Sequence, residues 1–79
     1  MKATVYTVSR DHKPVDTVLA AGPEDAARIY AWRVYGRKAI AYRTTGTAGL
    51  TGFFQAYEPV KTRNGRGLTS IGDPFHIFG

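Results

Sequence analysis

Seventy-nine residues, 43% of them hydrophobic and 13% aromatic, are enough for one packed domain and too few for two. The absence of cysteine excludes disulfide staples and thiolate metal sites, and is compatible with a reducing cytoplasm. The net charge of +5 is uneven: residues 1–25 carry three basic against four acidic side chains, and residues 26–79 carry eight against two.

The chain starts with "ATVYTVS", which alternates with period two. Ala3, Val5 and Thr7 share one face and Thr4, Tyr6 and Val8 the other, the pattern of a strand rich in β-formers. "RDHKP" has turn chemistry, and "VDTVLAA" reads as a second strand closing a hairpin. No stretch has the unbroken apolar run of a signal peptide or membrane span, so the expectation is a soluble protein that stays where it is made.

"GPEDAARIYAWRVYG" predicts a helix. Gly22 is the N-cap, Pro23 takes the first position, Glu24 and Asp25 meet the positive end of the helix dipole, and Gly36 ends the element. Ala27, Tyr30, Ala31 and Val34 make a narrow apolar stripe for a sheet to cover. Arg33 and Arg37 fall one turn apart on another face, and Arg28, Trp32 and Tyr35 on a third, semi-exposed one.

"KAIAYRTTG" alternates as a strand, "TAGLTG" is a glycine-rich connection, and "FFQAYEPV" is the strand that pairs back. Period two sets Phe53, Gln55 and Tyr57 on one face and Phe54, Ala56 and Glu58 on the other, with Phe54 assigned to the core. A flexible cationic loop with Lys61, Arg63 and Arg66 follows, and "FHIF" forms a short closing strand. Residues 1–79 therefore read as a single α+β domain of order β-β-α-β-β-β. An antiparallel sheet of about five strands is expected to carry one helix on one face.

The chain lacks the groups that catalysis needs. His12 sits in a turn without a ligand pair at metal-site spacing, and His76 alternates with Phe75 and Ile77. Ser70, Asp73 and His76 lie in an extended segment that would string them over roughly 20 Å, too far for a triad. Gly46, Gly49 and Gly52 precede neither a Lys-Ser/Thr pair nor a helix, so they are not a phosphate cradle. The expectation is a binding protein with no catalytic residue, metal or cofactor. Arg33, Arg37, Arg43, Lys61, Arg63 and Arg66 are the candidate partner-binding residues, and composition leaves three readings open: a phosphate backbone with Phe53, Phe54 or Tyr57 stacking bases, an acidic protein patch, or a loop that is only a solvated connection.

The pieces "YRTTG", "GFFQAY", "KTRNG" and "GDPFHIF" occur in an order that resembles the C-terminal half of small phage-encoded anti-CRISPR proteins directed at type I systems, in particular a subtype I-E inhibitor family. The match covers about residues 42–78 and is strongest at Phe54-Gln55-Ala56-Tyr57 and Pro74-Phe75-His76. The N-terminal half agrees in outline, as strand then alanine-rich helix. This chain is more basic than the subtype I-E pattern, through Arg33, Arg37, Lys38 and Arg66, which leaves the target subtype open between I-E and I-C.

The resemblance implies an inhibitor that binds protein subunits of Cascade, the RNA-guided surveillance complex, in the cytoplasm of the host bacterium, acting as a monomer or weak homodimer. It would block target-DNA recruitment, or alternatively engagement of the helicase-nuclease after DNA is bound. A protein of charge +5 cannot mimic DNA, so it must meet an acidic or mixed protein patch or the nucleic acid held by the complex. The reading of a different class is a small basic nucleic-acid-binding module that acts without Cascade.

Overall fold

A computed structural model describes residues 3–45 and 51–79 of the chain. Strands β1 (Thr4–Arg10) and β2 (Lys13–Ala20) form the expected hairpin, closed by Arg10 opposite Lys13. The two turn residues, Asp11 at φ 50° and His12 at φ 63°, are both left-handed. Such a turn twists in the sense of the strands it joins, and Asp and His are among the residues that tolerate it.

Helix α1 (Pro23–Tyr35) begins and ends where Gly22, Pro23 and Gly36 indicate. The Ala26 amide donates to the Gly22 carbonyl at 3.0 Å, and Gly36, at φ 96°, returns its amide to the Trp32 carbonyl at 3.0 Å. The buried stripe is Pro23, Ala26, Ala27, Tyr30 and Ala31. Val34, expected in that stripe, is 46% exposed. Tyr35 takes its place, one helical turn beyond Ala31, because its ring lies over Gly72 and packs on the core. Arg37 lies past the last helical residue, so it does not continue the face of Arg33.

Strands β3 (Ile40–Thr45), β4 (Thr51–Thr62) and β5 (Gly65–Phe78) complete a five-stranded sheet. Its spatial order is β2-β1-β5-β4-β3, and all of its pairings are antiparallel. The chain leaves one edge at β2 and re-enters at the other edge through β3, and α1 carries it across. The domain is thus α+β with the order β-β-α-β-β-β, the helix covering one sheet face. Of the "TAGLTG" connection, residues 47–50 fall outside the described part, as does residue 46 before it, and residues 51 and 52 open β4.

The core fills the space between helix and sheet with Tyr6, Val8, Val18, Phe54, Phe75 and Ile77 against the alanines of the helix. Tyr30 meets the Phe75 ring at 4.8 Å and Phe54 lies 6.2 Å from it. The alternation in "GFFQAY" is realised as expected: Phe54 and Ala56 are fully buried, whereas Phe53 faces away and is 46% exposed.

Candidate binding surface: a free ribbon continuous with an open sheet face

Residues 58–70 differ most from their sequence reading. In place of a flexible cationic loop and a short last strand, β4 runs on to Thr62 and β5 starts at Gly65. The two are paired from Glu58–Thr69 to Thr62–Gly65 around Arg63 and Asn64. Gly65, at φ 124°, adopts a conformation that a side chain would oppose. Lys61 and Arg66 are therefore strand residues directly opposite each other, and Arg63 sits at the tip.

Among the described residues this ribbon is free on both edges. The last β3–β4 pair is Ile40–Tyr57, and β1 reaches β5 only at His76–Phe78. Among the described residues, nothing but each other pairs the strands beyond Tyr57. Pro59, Lys61, Thr62, Arg66, Leu68 and Thr69 are all exposed. A two-stranded ribbon with no face on a core is marginal by itself. Like charges set directly opposite, as Lys61 and Arg66 are, weaken it further. Neither cation, nor Arg63, has an ion pair with a described residue.

The ribbon joins the main sheet through an irregularity. Between the pairs Phe54–Phe75 and Ala56–Ile71, β5 carries two residues more than β4. Carbonyls inside such a break lose their ladder partners, and Gln55 replaces them. Its amide nitrogen donates to the Ile71, Gly72 and Ala56 carbonyls at 3.0, 3.2 and 3.1 Å. Gln55 is accordingly buried although its position alternates with Phe54 and Ala56.

Pairing register places Tyr57, Pro59, Lys61, Arg66, Leu68 and Ser70 on one side of the ribbon. That side is continuous with the sheet face opposite the helix, where Phe53, His76, Phe78 and Tyr42 stand. The Phe53 and His76 rings stack at 4.4 Å with 14° between planes. Tyr42 and Tyr57 meet at 5.8 Å, and His76 meets Phe78 at 5.2 Å. A shallow groove of about 370 Å³ runs from this cluster toward the β1–β2 turn, lined by Ser9, His12, Phe53, Asp73 and His76. Among the described residues no group of three or more His, Cys, Asp or Glu lies together as a metal site. Within the same residues no helix is long and apolar enough to cross a membrane.

The six arginines and lysines singled out in the sequence do not form one site. Lys61, Arg63 and Arg66 share the ribbon. Arg33 is held on the helix side, bonded to Asp16 of β2 at 3.2 Å and to the Thr17 carbonyl at 3.0 Å. Arg43 is also on the helix side. It binds Glu24 at 2.6 Å and lies 4.9 Å over the Phe54 ring, in space left by Gly52, where a Cβ would fall on its guanidinium. This bond holds the Glu24 carboxyl below its ordinary pKa. Arg37 is exposed in the turn after the helix.

Trp32 and Tyr35, both semi-exposed in the sequence reading, have structural partners. The Trp32 indole N–H donates to the Ala39 carbonyl at 2.9 Å, with Arg28 5.4 Å from its ring. The aromatic members of the open face are what residue-by-residue reading missed as a group. The signal was present in the opposite alternation of "FFQAY" and "FHIF", but only strand order sets Phe53 beside His76.

Comparison with protein-family models, with curated proteins and with solved structures returns no match for this chain.

Proposed function

We propose that the protein is a non-enzymatic inhibitor that docks on a type I CRISPR surveillance complex and blocks recruitment of target DNA in the host cytoplasm. The observation that carries the docking part is the free ribbon at residues 58–70. A fold that extends two strands beyond its core and sets Lys61 against Arg66 gives up stability within the isolated chain. That loss is recovered when an anionic or hydrogen-bonding partner meets the ribbon. The identity of the target rests on the resemblance of residues 42–78 to the anti-CRISPR pattern. In the structure the shared pieces have separate places: "FFQAY" lies in β4 between core and open face, and "KTRNG" is the ribbon tip.

Labelled target DNA with purified Cascade of subtypes I-C and I-E, with and without the protein, provides the test by mobility shift. The expected result is loss of the Cascade shift in one subtype, with DNA and protein alone unshifted. Replacing Lys61, Arg63 and Arg66 together by alanine should restore the shift. Full inhibition by that triple variant would remove the ribbon as docking element. A retained Cascade shift with target cleavage abolished would instead favour interference with the helicase-nuclease. An unchanged Cascade shift together with a shift of naked DNA would overturn the inhibitor reading.

A further inference from the structure

The open sheet face has more specific chemistry than a ribbon of cations. We infer that this face, from Phe53 and His76 through Tyr57 to Lys61 and Arg66, is a platform for single-stranded RNA.

Exposed single strands present two things to a protein: the flat faces of unstacked bases and a row of phosphates. This surface presents the complement of both. Phe53 with His76, and Tyr42 with Tyr57, form two clusters of rings on the uncovered face, none of them belonging to the buried core. Lys61 and Arg66 lie on the same face, four residues beyond Tyr57 along β4, or about 13 Å at the rise of a strand. The order along the strand is rings, rings, cations, which suits a chain whose bases stack at one end and whose phosphates reach the other.

The aromatic face is not explained by folding. Burying Phe53 or Tyr42 would stabilise the domain, yet they are 46% and 51% exposed while the alanines of the helix occupy the core. Charge complementarity selects the partner. The two acids near this face, Asp11 and Asp73, are at the far groove end, and Asp73 is within 3.6 Å of Arg10. Among the described side chains of the ribbon that face this way, the charged ones, Lys61 and Arg66, are both cations. A second copy of the chain would bring a second charge of +5. Duplex DNA keeps its base faces stacked inside and offers nothing for the rings.

RNA is favoured over DNA by the neighbours of the rings. Ser9, Thr7 and Ser70 are the cross-strand partners of His76, Phe78 and Tyr57. Each sets a hydroxyl, able to donate and to accept, beside a ring residue, the kind of partner a ribose 2′-OH takes and DNA lacks the group to use. The inference deepens the docking reading above by naming the component touched, and it rests on that reading only for the location of the surface.

The test is fluorescence anisotropy of a labelled, unstructured 12-nucleotide RNA with the full chain, beside DNA of the same sequence and its duplex. RNA should bind more tightly than either DNA. Phe53→Ala and Tyr57→Ala, verified as folded by thermal unfolding, should each weaken RNA binding by about tenfold or more. The double variant Lys61→Ala/Arg66→Ala should lower the slope of log affinity against log salt by about 1.4, at 0.7 per phosphate on a single strand. No binding, or binding indifferent to Phe53 and Tyr57, overturns the platform. Equal or tighter binding of single-stranded DNA overturns the assignment to RNA. If RNA does not bind but the triple ribbon variant still loses Cascade inhibition, the partner is a protein patch; the platform then falls while the inhibitor reading stands.

Discussion

Gly72 shows how one position can hold two elements in place. Its φ of 66° is left-handed, and a Cβ there would fall on the Tyr35 hydroxyl at the end of the helix. The Gly72 carbonyl is meanwhile taken by Gln55. Gly72→Ala therefore meets a backbone penalty and a steric one, which together should lower stability by about 2–4 kcal/mol. Urea unfolding measures this, and a midpoint unchanged from the parent would contradict both the left-handed backbone at Gly72 and the packing of Tyr35 over it. Tyr35→Ala combined with Gly72→Ala should recover only the steric part, because φ stays positive.

At the scale of elements, the ribbon and the sheet it grows from have different stabilities for a stated reason. Amides of β1 and of β4 near Phe54 lie under the helix, whereas those of residues 58–62 and 66–70 have one neighbour and no core. Hydrogen exchange should then proceed by local opening throughout the ribbon and only by global unfolding at Val8, Phe54 and Ile77. Addition of the true target should slow exchange in the ribbon first. Equal protection of ribbon and core would contradict the reading of the ribbon as a free element. Helix α1 is the opposite case, since capping and packing agree: Pro23 and Gly36 set its ends, and small alanines let it approach the sheet closely.

For the molecule as a whole, the radius of gyration of 12.8 Å exceeds the roughly 11.6 Å expected for a compact chain of this length, consistent with a projecting ribbon. The crossing helix is tied to both edges of the sheet. Its first turn is bonded to β3 through Glu24–Arg43, and its last turn to β2 through Arg33–Asp16. Because Arg43 depresses the Glu24 pKa, the bridge stabilises the fold above the unfolded value of about 4.3 and is lost as pH falls through the folded one. Thermal unfolding between pH 6 and pH 3 should show a drop that is smaller in Glu24→Gln. The effect is modest, since the Glu24 side chain is 65% exposed. A parallel decline in both proteins would show that the bridge does not matter.

Local chemistry alone determined the helix and its ends, the first hairpin and the inward direction of Phe54, because capping residues and period-two alternation act over a few neighbours. Those elements were legible in "GPEDAARIYAWRVYG", "ATVYTVS" and "GFFQAY". Only tertiary structure decided that residues 58–70 are a ribbon: its pattern is broken by Pro59, Gly65 and Gly67, and its pairing register is set by β4 meeting β5. Strand order likewise decided which cations are used internally. Arg43 looked like Lys61 in the sequence, yet one reaches Glu24 across the sheet and the other stands on a free ribbon. The aromatic face emerged in the same way, since rings far apart in the chain become neighbours only when long-range pairing sets β1, β5 and β4 side by side.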